Sequence, residues 1–284
     1  MGENGRVTSP DFWRAVEAVH APVYFAPDAK ERFEALGLKG FWMGYMASRS
    51  AALGTPAPEV VTALFHGFAP SMVARALPDA WTRADRQTIL DARYELARAV
   101  LAQALGDVDV NRVTTHLEEI VRRTDFAGKP LAAAHASLPA PDDALGRLWH
   151  VATVLREYHG DCHVAVLVAT GLSGAAANAL AVAVGLVPAG RQREVRGWSE
   201  QEWDDAYEQL HMRGWVDDLR AATADGRSAR ARIEDTTNRV ANAGLDREAT
   251  ARAISATAAL VDMAAAIEAS GAVPYPNPTA VPRP

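Results

Sequence analysis

Apolar residues recur along this chain at spacings of three and four, and clean strand-type alternation is almost absent. Helix is therefore the expectation nearly everywhere. The first helix opens at Ser9 or Asp11, runs through Phe12, Val16 and Val19, and stops near His20, since Pro22 disfavours helix just before it. Pro27 restarts a helix that buries Phe33 and Leu36, and further helices are expected over Gly40–Ala52, Pro58–Phe68 and Pro70–Leu77. Thr82 is expected to cap a long helix through Ile89, Leu96, Val100 and Leu105, followed by Asp109–Thr124. Leu138–Asp143, with two prolines, reads as a linker between an N-terminal helical module, 1–143, and a C-terminal one, 144–284. In the second module, Ala144–Tyr158 and His159–Thr170 read as separate helices, then Gly174–Val184. Ser199 with Glu202 forms a capping box for a helix to Met212, Thr223 caps Ala224–Val240, and the last helix spans Arg247–Ala269. The tail after Ala272 is too rich in proline for helix. The fold class expected is all-α, with winged-helix-like modules and a short β-hairpin wing after Arg213-Gly-Trp. Gly40–Gly54 lies on Gly160–Gly174 at an offset of 120, and Trp81 on Trp198 at 117, the pattern of a pseudo-duplicated pair.

Charge changes the picture only locally. The 284 residues carry 29 Lys and Arg against 35 Asp and Glu, a net −6, so no global field attracts phosphate. The one cysteine, Cys162, leaves no disulfide framework and no multi-cysteine zinc site. The N-terminus lacks a basic and then apolar signal pattern, and no run of about 18 uninterrupted apolar residues is present. A cytoplasmic protein without a membrane partner is the expectation.

Arg196–Trp203, Leu210–Val216 and Thr223–Asn238 together read as helix, Arg-Gly-Trp into a hairpin, and a Thr-x-x-Gly-Arg helix start. That segment, about 196–240, resembles the winged helix of MarR-type regulators. His20–Pro27, Gly37–Tyr45, Phe68–Pro70, Leu155–His163 and Pro276–Pro278 recur in order along the chain. With them, the whole sequence resembles an actinobacterial helix-turn-helix family grouped with SalK. The resemblance implies a ligand-responsive winged-helix regulator. Against it, the helix from Glu200 to Met212 carries Glu200, Glu202, Asp204, Asp205 and Glu208 with no Lys or Arg, and Asp217-Asp218 follow at the wing. Carboxylates facing phosphates disfavour nucleic acid as a partner.

Chemistry concentrates in two places. Arg156-Glu-Tyr-His-Gly-Asp-Cys-His163 sets His159 and His163 four apart on one helix face, as acid/base or metal-binding pairs can be. Gly160 and Asp161 read as the start of the following helix, with Asp161 able to orient a histidine. Tyr45 and Arg49 are likewise four apart beneath Phe41 and Trp42, an arrangement suited to an anionic group. His20, Tyr24, His66 and Phe68 lie at helix ends where side chains can face a cavity. The expected catalytic set is His163, Asp161, His159, His20 and Arg156. The expected ligand-binding set is Tyr24, Trp42, Tyr45, Arg49, His66 and Phe68. The simpler alternative is aromatic and histidine side chains satisfied within a core. No phosphate-binding glycine loop, nucleophile elbow or HExxH occurs, so no cofactor is indicated; a haem, or a metal on His159 and His163, is left open. The preferred expectation is a small-molecule-binding protein with a His/Asp/Arg pocket for an anionic ligand, doing proton transfer of lyase, isomerase or hydrolase type. A metal- or haem-binding protein and a homodimeric scaffold are the further alternatives.

Overall fold

Prolines at Pro10, Pro58, Pro70 and Pro130 each sit in the first turn of a helix, where a missing N–H costs nothing. Side chains of Asp85, Asp143, Ser173, Ser199, Thr223 and Asp246 accept first-turn N–H groups at six other starts. The computed structural model describes residues 8–274 and Asn277. The expectations for residues 1–7 and for Tyr275, Pro276 and Pro278 of the tail lie outside the described residues.

The helices are α1 (Pro10–His20), α2 (Ala29–Ala35), α3 (Gly40–Ser50), α4 (Pro58–Phe65), α5 (Pro70–Ala76), α6 (Asp79–Arg83), α7 (Arg86–Leu105) and α8 (Asn111–Arg123). Then come α9 (Pro130–Ala136), α10 (Ala144–Ala169), α11 (Gly174–Ala183), α12 (Gln192–Arg196), α13 (Glu200–Met212), α14 (Ala224–Ala243) and α15 (Arg247–Ala269). The fold is all-α. In place of the expected β-hairpin wing, the described residues hold a single antiparallel bridge between Val216 and Ala222. The connection is too short for more: Asp217 accepts the N–H groups of Leu219 and Ala221, closing a turn as soon as the bridge forms.

Several boundaries differ from expectation, among them the end of α4 at Phe65 instead of Phe68 and of α14 at Ala243 instead of Val240. Pro27 lies outside α2, which begins at Ala29 after Asp28. Asp85, not Thr82, caps α7, because Thr82 bonds back to the Asp79 carbonyl within the short α6. Most consequentially, α10 runs unbroken through Gly160. A mid-helix glycine costs roughly 1 kcal/mol, and burial of Leu148, Leu155, Tyr158 and Cys162 on the same helix outweighs it. Asp161, His159 and His163 are thus mid-helix residues.

Helix α10 is the spine of the molecule. Helices α1, α7, α8 and α9 pack against it, and α15 packs on α1, α7 and α8, in one large apolar cluster that includes Phe12, Leu96, Leu117, Leu148 and Leu260. A smaller cluster forms where α11 and α13 pack together, with Leu180, Tyr207, Leu210, Val216 and Ile233. By length and composition α15 could cross a membrane. In this fold its Ala253, Leu260, Ala264 and Ile267 face is buried against α1 and α8.

Candidate ligand cavity and helix-turn-helix surface

Glu157 falls within the buried side of α10 and is 1% exposed, an address that needs a partner for a charge. Two arginines supply it. Arg49 of α3 donates through Nε and Nη2 to the two Glu157 oxygens at 2.9 and 2.8 Å, and Arg156 donates through Nη1 to Oε2 at 2.9 Å. Arg156 also donates to Glu17 of α1 at 2.9 Å, so the cluster alternates in sign across three helices. Burial disfavours the Glu157 carboxylate, but Arg49 and then Arg156 outweigh it and hold its pKa well below the usual value. Arg49 also donates to the Tyr45 hydroxyl at 3.3 Å, and its guanidinium lies 4.2 Å from the Phe65 ring centroid.

The aromatic residues expected to bind ligand come together here. Tyr45 touches Tyr24, Phe41, Trp42, Phe65 and Phe68 with ring centroids 5.3–6.3 Å apart. His20 is fully buried between Thr153, at 2.9 Å from Nδ1, and the Tyr24 hydroxyl, at 2.8 Å from Nε2, and it stacks on Trp149. Burial, followed by Arg156 and Arg93, lowers its pKa well below 6.5. The interior therefore holds His20 as a neutral imidazole in a closed hydrogen-bond chain.

His159 and His163 do share one face of α10, and each meets α14. His159 Nε2 lies 2.9 Å from Asn238 Oδ1, and His163 Nδ1 lies 3.1 Å from Thr237 Oγ1. Burial, with Arg230 adding to it, pushes the His163 pKa down to about 3. Asp161 turns the other way: its Oδ2 accepts the N–H groups of Leu131 and Ala132, both at 3.0 Å, and so anchors α9. Burial raises its pKa to about 6 despite those two donors. Its recorded hydrogen bonds thus go to backbone and not to a histidine. Cys162 is 2% exposed and burial pushes its thiol up to about 11, which leaves it protonated and unreactive near neutral pH. Among the described residues no group of three or more His, Cys, Asp or Glu is placed to hold a metal ion.

Two adjoining cavities flank this stretch of α10. One, of about 210 Å³, lies between α3, the α4–α5 connection, α10, α11, α12 and α14, and is lined by Arg49, Glu157, His163, Asn178, Arg196 and Arg230 among others. The second, of about 200 Å³, opens beside α1 and α14 and reaches Trp13, Glu17, His159 and Asn238. Arg156, Gly160, His163 and Arg230 border both. Glu157, Arg196 and Arg230 were not singled out from sequence. The available signal for Glu157 was a carboxylate on the apolar side of a helix, directly after Arg156.

The first cavity lies against α11, which packs on α13. Three direct links join the stretch from Leu172 to Arg196, which includes α11 and α12, to the α4–α5 connection. His66 Nε2 lies 3.2 Å from the Leu172 carbonyl, Asn178 donates to the Gly67 carbonyl at 2.7 Å, and Ala69 N–H to the Arg196 carbonyl at 2.9 Å. Gly174 is required at the contact, since a Cβ there would meet the His66 carbonyl oxygen. Helix α13 opens with the expected Ser199–Glu202 capping box and turns Glu200, Gln201, Asp204, Asp205 and Glu208 outward. Arg220, in the turn closed by the bridge, donates to Asp204 at 2.8 Å, while Arg213 donates to the Thr170 and Gly171 carbonyls.

No curated protein and no solved structure shows significant similarity to the chain. A family model described as a helix-turn-helix family matches residues 9–274. This match overturns the expectation against nucleic acid, which rested on the acidic face of α13: a helix-turn-helix family implies DNA binding. The match spans all but the two ends of the sequence, and the chain belongs to this helix-turn-helix family.

Proposed function

We propose that the protein is a ligand-responsive, DNA-binding transcription regulator that takes a small anionic effector. The single observation that carries this reading is the helix-turn-helix family match over residues 9–274. The likeness of the segment from Arg196 to Val240 to MarR-type winged helices supports it, and a cytoplasmic location goes with it. In this reading α11 and α13 form the helix pair, and α13 enters the groove. Its outward Asp204, Asp205 and Glu208 accept hydrogen bonds from cytosine amino groups, the base-edge donors that carboxylates read. Phosphate contacts fall to exposed arginines at its margins, Arg213, Arg220 and Arg227.

The effector enters the cavity between α10 and the helix pair. Arg49, Arg156, Arg196 and Arg230 there outnumber the two carboxylates of the lining, Glu157 and Asp161, which favours an anion. Because the walls come from both α10 and the α11–α14 unit, an occupant has different contacts in different placements of that unit, the requirement for coupling to DNA affinity. The test is a mobility-shift assay on the DNA upstream of the protein's own gene, at fixed salt concentrations. Tight, salt-sensitive binding supports the reading, and failure to bind any upstream fragment at low salt overturns it. One observation favours a second reading, acid–base catalysis in the same cavity: a neutral His163 faces it beside Arg156 and Arg230.

A further inference from the structure

Two turns nearer the start of α10 lies another cavity, of about 260 Å³, that shares no lining residue with the two above. It is enclosed by α7, the α9–α10 connection and α10, and its walls include Leu90, Tyr94, Leu138, Pro139 and Trp149. Arg93 of α7 lines it and is 2% exposed. Unlike Arg49 and Arg156, Arg93 has no carboxylate within salt-bridge distance among the described residues. Its guanidinium is held by the Tyr24 hydroxyl at 3.5 Å from Nη2 and by the rings of Tyr24 and Trp149, with centroids 5.3 and 5.4 Å away. Its Nε, buried, makes no hydrogen bond. His135 of α9 lines the same cavity, is 3% exposed, and its Nε2 is also without a hydrogen-bond partner.

A buried guanidinium without a countercharge, next to an unsatisfied imidazole nitrogen, is costly unless something supplies what both lack. We propose that Arg93 and His135 form a binding site for a small monocarboxylate with an apolar body, distinct from the cavity facing the helix pair. The carboxylate takes the free Nε edge of Arg93, while the body lies on Trp149, Leu90 and Leu138 and can present a hydroxyl to His135 Nε2, which only accepts. Burial pushes the His135 pKa down to about 4, so at neutral pH the ring is uncharged and its one N–H goes to the Arg49 carbonyl. Arg93 is then the one permanent cation in the lining. Asp91 at the margin, bonded to Gln87, disfavours a second negative charge. The volume lies below the range of drug-sized sites, which selects a ligand of about one ring. The inference does not depend on DNA binding.

Isothermal titration of the full-length protein with benzoate tests it, with benzamide and inorganic phosphate as comparators. Benzoate is expected to bind saturably, and benzamide and phosphate at least tenfold more weakly. Arg93→Gln removes the charge. Because that variant can lose its fold, Ala140→Trp is the second: Ala140 is exposed and lines the cavity, so the indole closes the mouth without entering the core. Each is expected to weaken benzoate at least tenfold, whereas His163→Ala, in the other cavity, leaves it unchanged. Absence of saturable benzoate binding overturns the proposal. So does benzamide binding as tightly as benzoate, or benzoate affinity that survives Ala140→Trp.

Discussion

Replacing Glu157 with glutamine tests the buried ion cluster with almost no change of shape. Glu157→Gln keeps one carbonyl oxygen but removes the only charge that both Arg49 and Arg156 contact, at 2.8–2.9 Å, in a residue 1% exposed. Each arginine–carboxylate pair is worth about 4 kcal/mol at an effective dielectric near 20, most of it offset in the wild type by desolvation. Removing the carboxylate leaves Arg49 without a countercharge and Arg156 with Glu17 alone, and such a break costs roughly 3–5 kcal/mol. At about 2–4 °C per kcal/mol for a chain of this order, the melting temperature falls by roughly 10 °C. Arg49→Met alone should cost a similar amount. The double variant Arg49→Met/Glu157→Leu should cost less than the sum of the two single changes, since packed apolar groups replace a buried pair at little loss. Thermal melts by circular dichroism at pH 7, with the near-ultraviolet signal as a check on packing, supply the numbers. A Glu157→Gln protein melting within about 2 °C of the wild type, or strictly additive double-variant costs, would refute this account of the cluster.

Acidification should weaken the fold. The folded-state pKa values of His135 and His163, about 4 and about 3, lie below the ordinary 6.5. The unfolded chain therefore takes up those protons first, and stability present above pH 6.5 is lost as pH falls. Asp161, raised from 3.8 to about 6, acts in the opposite sense between those values. These two histidines against one carboxyl give a loss of about 1.4 kcal/mol per pH unit between pH 6 and 4, and His20, also held well below 6.5, adds to it. Urea midpoints measured at pH 7, 6 and 5 should fall in that order, and a midpoint that rises on acidification contradicts it. Gly226→Ala places a Cβ against the Trp215 carbonyl oxygen, which accepts the Thr223 N–H, so the turn before α14 must shift. A cost of about 1–3 kcal/mol with loss of upstream-DNA binding is expected, and unchanged DNA affinity counts against the placement of this turn at the interface. Asp161→Ala strips two buried N–H groups of α9 of their acceptor and should cost about 2 kcal/mol or more, read from the same urea midpoints; no change contradicts the anchoring role.

What the sequence made legible was local. The Ser199–Glu202 box, the Thr223 cap and the Tyr45–Arg49 pair are encoded within three or four residues, and each appears in the fold. What it did not show depends on distance. Arg49 and Glu157 are 108 residues apart, so neither position marks the other. The continuity of α10 through Gly160 is a tertiary override of a local preference, and it moves Asp161 from a helix start to the side of a helix that meets α9. Arg93 and His135 each sit on unremarkable helices, and only the fold brings them to one cavity. The acidic face of α13 was legible and is present. Its bearing on nucleic acid was misjudged, because charge composition describes affinity for phosphates and leaves out carboxylate contacts to base edges.

The central claim, DNA recognition through the α11–α13 unit, is tested most directly by the salt dependence of binding to the protein's own upstream DNA. Fluorescence anisotropy titrations would compare the wild type with an Arg213→Ala/Arg220→Ala/Arg227→Ala variant. The account predicts that log K falls linearly with log salt, and that the variant's slope is shallower by about 0.9 for each arginine removed, roughly 2.7 per protomer. Identical slopes for the two proteins, or no measurable binding by the wild type at low salt, would contradict it.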